Sequence, residues 1–596
     1  MTIKKLFLLL LCLCMLSGCT GPVATEGEED RKPEDLQLYD MLFDLNNTVT
    51  LSLDMEESQL QKMQLDYEQY DQQGSKSPIY RMADLTVTIT TPAGERFTYE
   101  LEEVGVRMKG NTSRTAFYSQ EEGIYNVIHL KLDFQETFDD EDYYGSECKA
   151  WESEEAREER KDRTFATLEK LDLRWNRCDD STYLKEYFAF QAYRHHDVLA
   201  PRTNLCSFDW AGIHMGVFTI NEPVDQVFLE KNLPEAALGG DLYKVGWAGS
   251  ENGSFTSTRS IGIEDEDKGL FYAYDLKTNK KTSKHEALIA FIQEMNSGSM
   301  TKERFAQLVD MDNFLPFAAV SYLLGNPDDL RNNYNNYYVY FRADTGQAMF
   351  IPYDYDRCLG ITAHWNPTGD GVTSDNPFSA NLAATGEQQR NPVMLYSVVS
   401  GGFYVREYAH HLKLVATGEW FTNDNFAALY AIAEKNYAAF ATPGKEFHNT
   451  NGLKQSFSLD RTSPFSSNDN ISFREYLEAK LKTLNFYLED VEKYEGSGPA
   501  IPAAWYIRCD QTNWQNDEEF AMTVENGVAV YRLMVSDTIR LKVYHDQTGR
   551  WYGAECIPQD CQVAFESDHH TNIVLQAGVY VICFDPESEC ITLEKE

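Results

Sequence analysis

The apolar residues of this chain change their period along its length, and that change limits the fold more than any other feature. Over residues 37 to about 134 they alternate. Residues 48–53 and 85–90 put an apolar side chain at every second position among β-branched neighbours. Residues 104–113 do the same and run into a turn of small and polar residues, and 127–134 alternate again. Period two is the pattern of strands with one buried face. Residues 135–163 are highly charged and read as a solvated loop with some helix. From Asp180 the spacing becomes three and four: 183–194 read as a helix, strands return at 203–209 and 216–221, and helices are expected over 285–297 and 311–325. Residues 385–495 read as mainly helical, with a Gly/Pro/Asn/Ser-rich break near 442–470. Strands first and helices later make an α+β layout over 37–495. Beyond Gly496-Ser497-Gly498-Pro499 short strands recur at 528–533, 539–544, 549–553 and 579–584, which predicts an all-β sandwich over 500–596.

Between the two halves of the larger region lies Gly325-Asn326-Pro327-Asp328-Asp329-Leu330-Arg331-Asn332-Asn333. A hairpin pattern follows (337–342, a turn with Asp344 and Gly346, then 348–351), and then Ile351-Pro352-Tyr353-Asp354-Tyr355-Asp356. Asp and Asn cap turns, so each of these residues taken alone reads as structural. Their order says more. An Asp that accepts a hydroxyl proton, an Asn five residues on, and an Asp beyond a hairpin that share the magnesium ions is the sequence of parts in protein-kinase phosphoryl transfer. Asp328 and Asn333 have that spacing. His-Arg-Asp and Asp-Phe-Gly are both missing, so the chain is not an ordinary protein kinase.

Composition narrows the partners. The chain has 596 residues, 42% hydrophobic and 13% aromatic, ample for more than one domain. Its 94 acidic against 53 basic residues give a net charge of −41, which repels nucleic acid. The same charge is compatible with basic protein substrates or divalent cations. Cysteines at 148, 178, 206, 358, 509, 556, 561, 583 and 590 have no C-x-x-C spacing, so a zinc site is not expected. Cys556 with Cys561 and Cys583 with Cys590 are candidate local disulfides; the rest are expected as buried thiols.

Met1-Thr2-Ile3-Lys4-Lys5, an apolar run over 6–16 and Leu16-Ser17-Gly18-Cys19 predict a secretory signal peptide over 1–18. The run is shorter than the ~20 residues a membrane span needs. Its ending resembles a bacterial lipobox, which implies lipidation of Cys19 and an extracytoplasmic, outward-facing membrane lipoprotein. Residues 19–36, rich in Glu, Asp, Pro and Gly, read as a flexible tether.

Three motifs are similar to those of the CotH kinases, the family of spore coat protein H. The first is Val104-Gly105-Val106-Arg107-Met108-Lys109-Gly110-Asn111-Thr112-Ser113. The second is Gly216-Val217-Phe218-Thr219-Ile220-Asn221-Glu222-Pro223-Val224-Asp225 with Gly240-Asp241-Leu242-Tyr243-Lys244. The third is the block from Asn326 to Asp356. The resemblance spans about 39–490. It implies an atypical protein-kinase-like fold that transfers the γ-phosphate of ATP, with Mg2+, to serine of secreted or surface proteins. It further implies Asp328 or Asp329 as catalytic base, and Asn333 and Asp354 as magnesium ligands with Asp356 a second candidate. Arg107, Lys109 and the Gly110-Asn111-Thr112-Ser113 turn would cradle phosphates. Glu222 with Lys244 or Lys131 would form the ion pair that orients the nucleotide. Tyr353 stands where the family often has tryptophan, and the doubled Asp and Asn residues leave the register open, with Asn336 an alternative to Asn333.

The sandwich resembles, more loosely, modules of polysaccharide-handling proteins. Trp505, Trp514, Trp551 and Tyr552 would either stack on sugar rings or fill its core. Two other functions fit the same residues: a catalytically silent surface protein used for adhesion or glycan binding, and a phosphohydrolase using Asp354 and Asp356 on a divalent ion.

Overall fold

The computed structural model describes residues 33–362, 372–379, 381–382, 387–388, 391–450, 456–460, 471–496, 505–525, 528–546, 549–586 and 588–596. The signal peptide and Cys19 lie outside the described residues. Among the described residues no helix is long and apolar enough to cross a membrane.

The alternating N-terminal stretches form a closed seven-stranded barrel. Its strands are β1 (Thr48–Asp54), β2 (Arg81–Thr90), β3 (Arg96–Lys109), β4 (His129–Asp133), β5 (Lys170–Trp175), β6 (Thr203–Trp210) and β7 (Ile213–Asn221). They run in the order β1-β2-β3-β4-β5-β7-β6, and a parallel pairing of β1 with β6, Thr50 opposite Ser207 to Leu53 opposite Trp210, closes the ring. Closure leaves no open edge and packs side chains such as Leu51, Val87, Leu132 and Phe208 inside.

Two helices interrupt the expected run of strands. Helix α1 (Pro33–Leu42) takes in the last residues of the expected tether, because Leu38, Tyr39 and Leu42 bury against the barrel. Helix α2 (Glu57–Gln72) falls inside the stretch read as strands. Its sequence contains no β-branched residue and is dominated by good helix formers, and Leu60 and Met63 join the barrel core. Helix α3 (Lys185–His195) follows β5, and α4 (Gln226–Asn232) follows β7.

A second sheet sits beside the barrel. It comprises β8 (Leu242–Val245), β9 (Ile261–Gly262), β10 (Tyr274–Leu276) and the hairpin β11 (Tyr337–Phe341) and β12 (Ala348–Pro352), in the order β9-β10-β8-β11-β12. The hairpin is buried on both faces, and its alternation divides it between two cores. Tyr337, Val339 and Phe341 point into the large helical core, while Tyr338 and Tyr340 join a smaller cluster with Phe228 and Leu229 of α4. The large core gathers α5 (Glu286–Met295), α6 (Met311–Leu324), α7 (Pro392–Ser397), α8 (Val405–Thr417), α9 (Asn423–Tyr437) and α10 (Phe473–Leu488). The predicted helices at 285–297 and 311–325 are α5 and α6. Part of the predicted break, 451–455 and 461–470, lies outside the described residues.

The C-terminal region is two packed antiparallel sheets. Its strands are β13 (Trp505–Cys509), β14 (Thr523–Glu525), β15 (Val528–Val535), β16 (Ile539–His545), β17 (Arg550–Tyr552), β18 (Glu566–Ser567), β19 (Ile573–Leu575), β20 (Gly578–Asp585) and β21 (Cys590–Lys595). One sheet runs β13-β16-β19-β18 with β17 on β16, and the other β14-β15-β20-β21. Trp505 and Tyr552 belong to the core between them, whereas Trp551 is 40% exposed with Trp514 at 6.2 Å between ring centroids. The candidate disulfides are not formed: Cys556, Cys561 and Cys590 are thiols, and Cys590 faces Asp585 while Cys583 faces Thr592 across β20–β21.

Candidate functional site

A cleft of about 590 Å³ opens where the barrel meets the second sheet. Strand alternation delivers its charged wall. Arg107 and Lys109 on β3 stand opposite Lys131 and His129 on β4, and Lys131 stands opposite Asp172 on β5. Lys170, Asp172 and Arg174 share one face of β5 by the same period, while Leu171 and Leu173 are buried in the barrel core. Lys109 pairs with Asp172. Arg107 pairs with Glu266 at 2.7 Å and donates to the Ser77 carbonyl. Burial pushes the Lys131 ammonium down to about 7, because Asp172 only partly offsets the desolvation and the neighbouring cations.

The turn Gly110–Ser113 forms part of the rim. Gly110 has φ +116°, and a Cβ there would collide with the Ser113 hydroxyl. Glycine is therefore required by both backbone and space.

The two acidic turns face this basic wall and are tied to each other. Helix α6 ends at Gly325 in the left-handed region (φ 58°) and releases the chain into the first turn. Asp328 accepts from three side-chain amides: Asn333 at 2.6 Å and Asn335 at 2.9 Å on one oxygen, Asn336 at 3.1 Å on the other. Burial pushes its pKa up while the amides of Asn335 and Asn333 pull it back. Asn326 Nδ2 donates to the Asp354 carbonyl at 3.0 Å, and the Tyr353 amide to the Asn336 carbonyl at 3.2 Å. Asp354 is itself left-handed, at φ 58°, a conformation that costs energy outside glycine and gathers at functional sites.

Arg174 holds the second turn. Its Nη2 donates to Asp354 at 2.5 Å and to Asp356 at 3.0 Å, and its Nη1 to Glu186 of α3 at 2.6 Å. Burial disfavours charge on Asp354, but Arg174, Lys109 and Lys244 outweigh it and hold the carboxyl below its ordinary range. Asp356 goes the other way, raised by burial and by Asp354. Burial drives Glu186 up to about 7 against the pull of Arg174. Tyr353 lies between the two lysines: Lys244 donates to its hydroxyl at 3.3 Å and sits 4.4 Å from its ring centroid, with Lys109 at 5.7 Å.

Of the residues singled out from sequence, Arg107, Lys109, Gly110, Asn111, Ser113, Lys131, Lys244, Asp328, Asp354 and Asp356 line one cleft. Three do not. Asp329 is 1% exposed; it caps the short helix that follows through the Asn332 amide at 2.9 Å and accepts from Ser321 at 2.5 Å. Asn333 sits behind Asp328, while Asn335 and Asn336 reach the lining. Glu222 is the clearest difference from expectation. It pairs with Lys231 of α4 at 2.6 Å, accepts from the Tyr39 hydroxyl at 2.8 Å and is 3% exposed, so it forms no pair with Lys244 or Lys131. Sequence reasoning missed Asp172, Arg174 and Glu186. A signal existed for the first two: charges at every second position of a strand whose other face is apolar.

A magnesium ion that arrives with a nucleotide needs only one or two protein carboxylates, the phosphates and water supplying the rest. Asp354 and Asp356, two positions apart and bridged by the Arg174 guanidinium, fit that requirement. Among the described residues no group of three or more His, Cys, Asp or Glu is placed to cage a metal.

The mixed α+β fold thus sets a basic cleft against two acidic turns. Residues 145–429 match the family model described as CotH kinase protein. The match begins beyond β4, so Arg107, Lys109 and the Gly110–Ser113 turn lie outside the matched residues. No curated protein matches the chain.

Proposed function

We propose that this chain is an atypical protein kinase that transfers the γ-phosphate of ATP to serine of a secreted or surface protein, with magnesium, at the outer side of a membrane to which lipidated Cys19 tethers it. The cleft's charge carries this reading. Ten Lys and Arg against six Asp and Glu line it, in a chain whose net charge is −41. A net basic cavity in so acidic a protein suits a polyanionic ligand, because low-dielectric walls focus the field. Lys109, Lys131 and Lys244, which line the cleft, would meet phosphates, Lys109 by exchanging its Asp172 partner. Asp354 and Asp356 would hold magnesium, with Asn333 or Asn336 nearby; the ion supplies neutralisation of charge on the transferred phosphoryl.

Asp328 serves as the base. A carboxylate has about four acceptor positions, and the three asparagine amides orient it while leaving room for a serine hydroxyl to donate. The exposed Trp551 and its neighbour Trp514 make the sandwich a candidate for polysaccharide contact; the buried Trp505 and Tyr552 are its core.

The test is thermal stabilisation of the full chain by ATP with and without magnesium, with Asp354→Ala as control, followed by a search for phosphorylated serines in candidate surface proteins. Metal-dependent stabilisation that the variant loses supports the kinase. No shift at millimolar ATP transfers the assignment to the silent adhesion or glycan-binding role.

A further inference from the structure

The arrangement around Arg174 has a feature that phosphate binding does not use. One guanidinium faces three carboxylates: Asp354, Asp356 and Glu186. Its two terminal nitrogens are divided between them. Nη2 bridges the two aspartates, and Nη1 is given to Glu186. The arginine therefore touches the same two side chains that would take a metal, while a separate carboxylate holds its other prong. Lys109, another cation on the barrel wall, pairs with Asp172. A small cavity of about 30 Å³ borders Arg174, Glu186 and Asp356, room for a water that would solvate the guanidinium once it leaves the pair.

We propose that Arg174 is a resident cation that holds Asp354 and Asp356 together in the metal-free protein and is handed over to Glu186 when a divalent cation takes the pair. The inference rests on the magnesium-dependent reading above and assigns Arg174 and Glu186 to positioning rather than to contact with the reacting atoms. Two cations sharing one pair of carboxylates exclude each other. The coupling is reciprocal, so whatever weakens the arginine's hold strengthens the metal's.

Glu186 is what makes the exchange possible. Without it, a displaced guanidinium would be left buried and unpaired, which costs several kcal/mol in general. The arginine would then cling to the aspartates.

The two residues therefore predict opposite effects on one measurement. In calorimetric titration of the full chain with Mn2+, with and without a non-hydrolysable ATP analogue, Arg174→Gln should bind the metal about tenfold more tightly than the wild type. Glu186→Gln should bind it more weakly. Arg174→Lys keeps the charge but loses the two-pronged grip, falls between wild type and Arg174→Gln, and carries the test if the glutamine variant does not fold. A merely structural arginine predicts that both glutamine variants loosen the site and weaken metal binding together. That outcome, or an unchanged affinity in Arg174→Gln, overturns the inference while leaving the kinase reading intact. Failure of wild type and variants alike to bind Mn2+, even with the analogue, removes the magnesium-dependent reading and this inference with it.

Discussion

Two adjacent aspartates show how much a single position decides. Asp328 and Asp329 are equivalent in the sequence motif, yet the turn sends one to the cleft and the other into the protein. Asp328→Asn keeps the shape of the side chain and removes the base. Phosphoryl transfer should fall by roughly 10²- to 10⁴-fold with nucleotide binding retained, while the melting temperature drops modestly because the new amide nitrogen faces one of the asparagine donors, as single-turnover kinetics and calorimetry will show. Asp329→Ala should do the reverse: it removes a cap and strands the Ser321 hydroxyl, costing about 2 kcal/mol in denaturant unfolding.

Lys131 adds a pH signature. Its folded pKa of about 7 lies below the ordinary lysine value of about 10.4. Above pH 7 the folded protein has therefore shed a proton that the unfolded chain retains, so stability rises with pH toward 10. The slope is about 1 kcal/mol per pH unit between pH 7 and 9, and Lys131→Met should flatten it. Anionic phosphates should restore the charge, so nucleotide binding near pH 8 should take up a proton. Titration in buffers of different ionisation enthalpy measures that uptake directly.

At the scale of elements, the hairpin β11–β12 was legible because its alternation is local, and so were Asp328, Asp354 and Asp356, whose relation is set by a few residues of turn on either side. Helix α2 was missed: its lack of β-branched residues is a signal, but its neighbours' period-two pattern masked it. What could not be read was pairing across distance. Asp172 and Arg174 lie on a strand with one charged face, and only barrel closure decides that this face meets the acidic turns. Glu222 was assigned to the wrong lysine for the same reason: α4 folds back and delivers Lys231, nine residues on, before any cleft lysine can reach it. That pair also accepts the Tyr39 hydroxyl and so fastens α1 to the barrel. Removing one partner of a buried pair leaves the other charge uncompensated, so Lys231→Met should cost about 3 kcal/mol. It should also expose the Pro33–Leu42 helix to proteolysis, with magnesium-dependent nucleotide stabilisation retained.

The whole molecule raises the question of what the sandwich contributes to the cleft. Its core is drawn entirely from 505–593 and shares no member with the cores of the larger region. Its boundary was legible in the Gly496–Pro499 stretch because composition changes there. A link to the larger region runs through Arg259, which donates to the Tyr552 hydroxyl and lies 3.6 Å from Glu589. Arg259 stands between β8, which carries Lys244, and β9. The Arg259–Tyr552 hydrogen bond is part-buried and the Glu589 contact long and half-exposed; together they are worth about 2 kcal/mol, too little to hold the cleft in shape. A chain ending at Gly496 should therefore keep its magnesium-dependent stabilisation by ATP, with affinity within about threefold of the full chain, a difference below 1 kcal/mol. A larger loss would mean that the sandwich braces the β8–β9 connection and belongs to the nucleotide site. Retained affinity with lost phosphorylation of a surface protein would instead place the module's contribution in acceptor recruitment, where the exposed Trp551 and half-buried Trp514 are available.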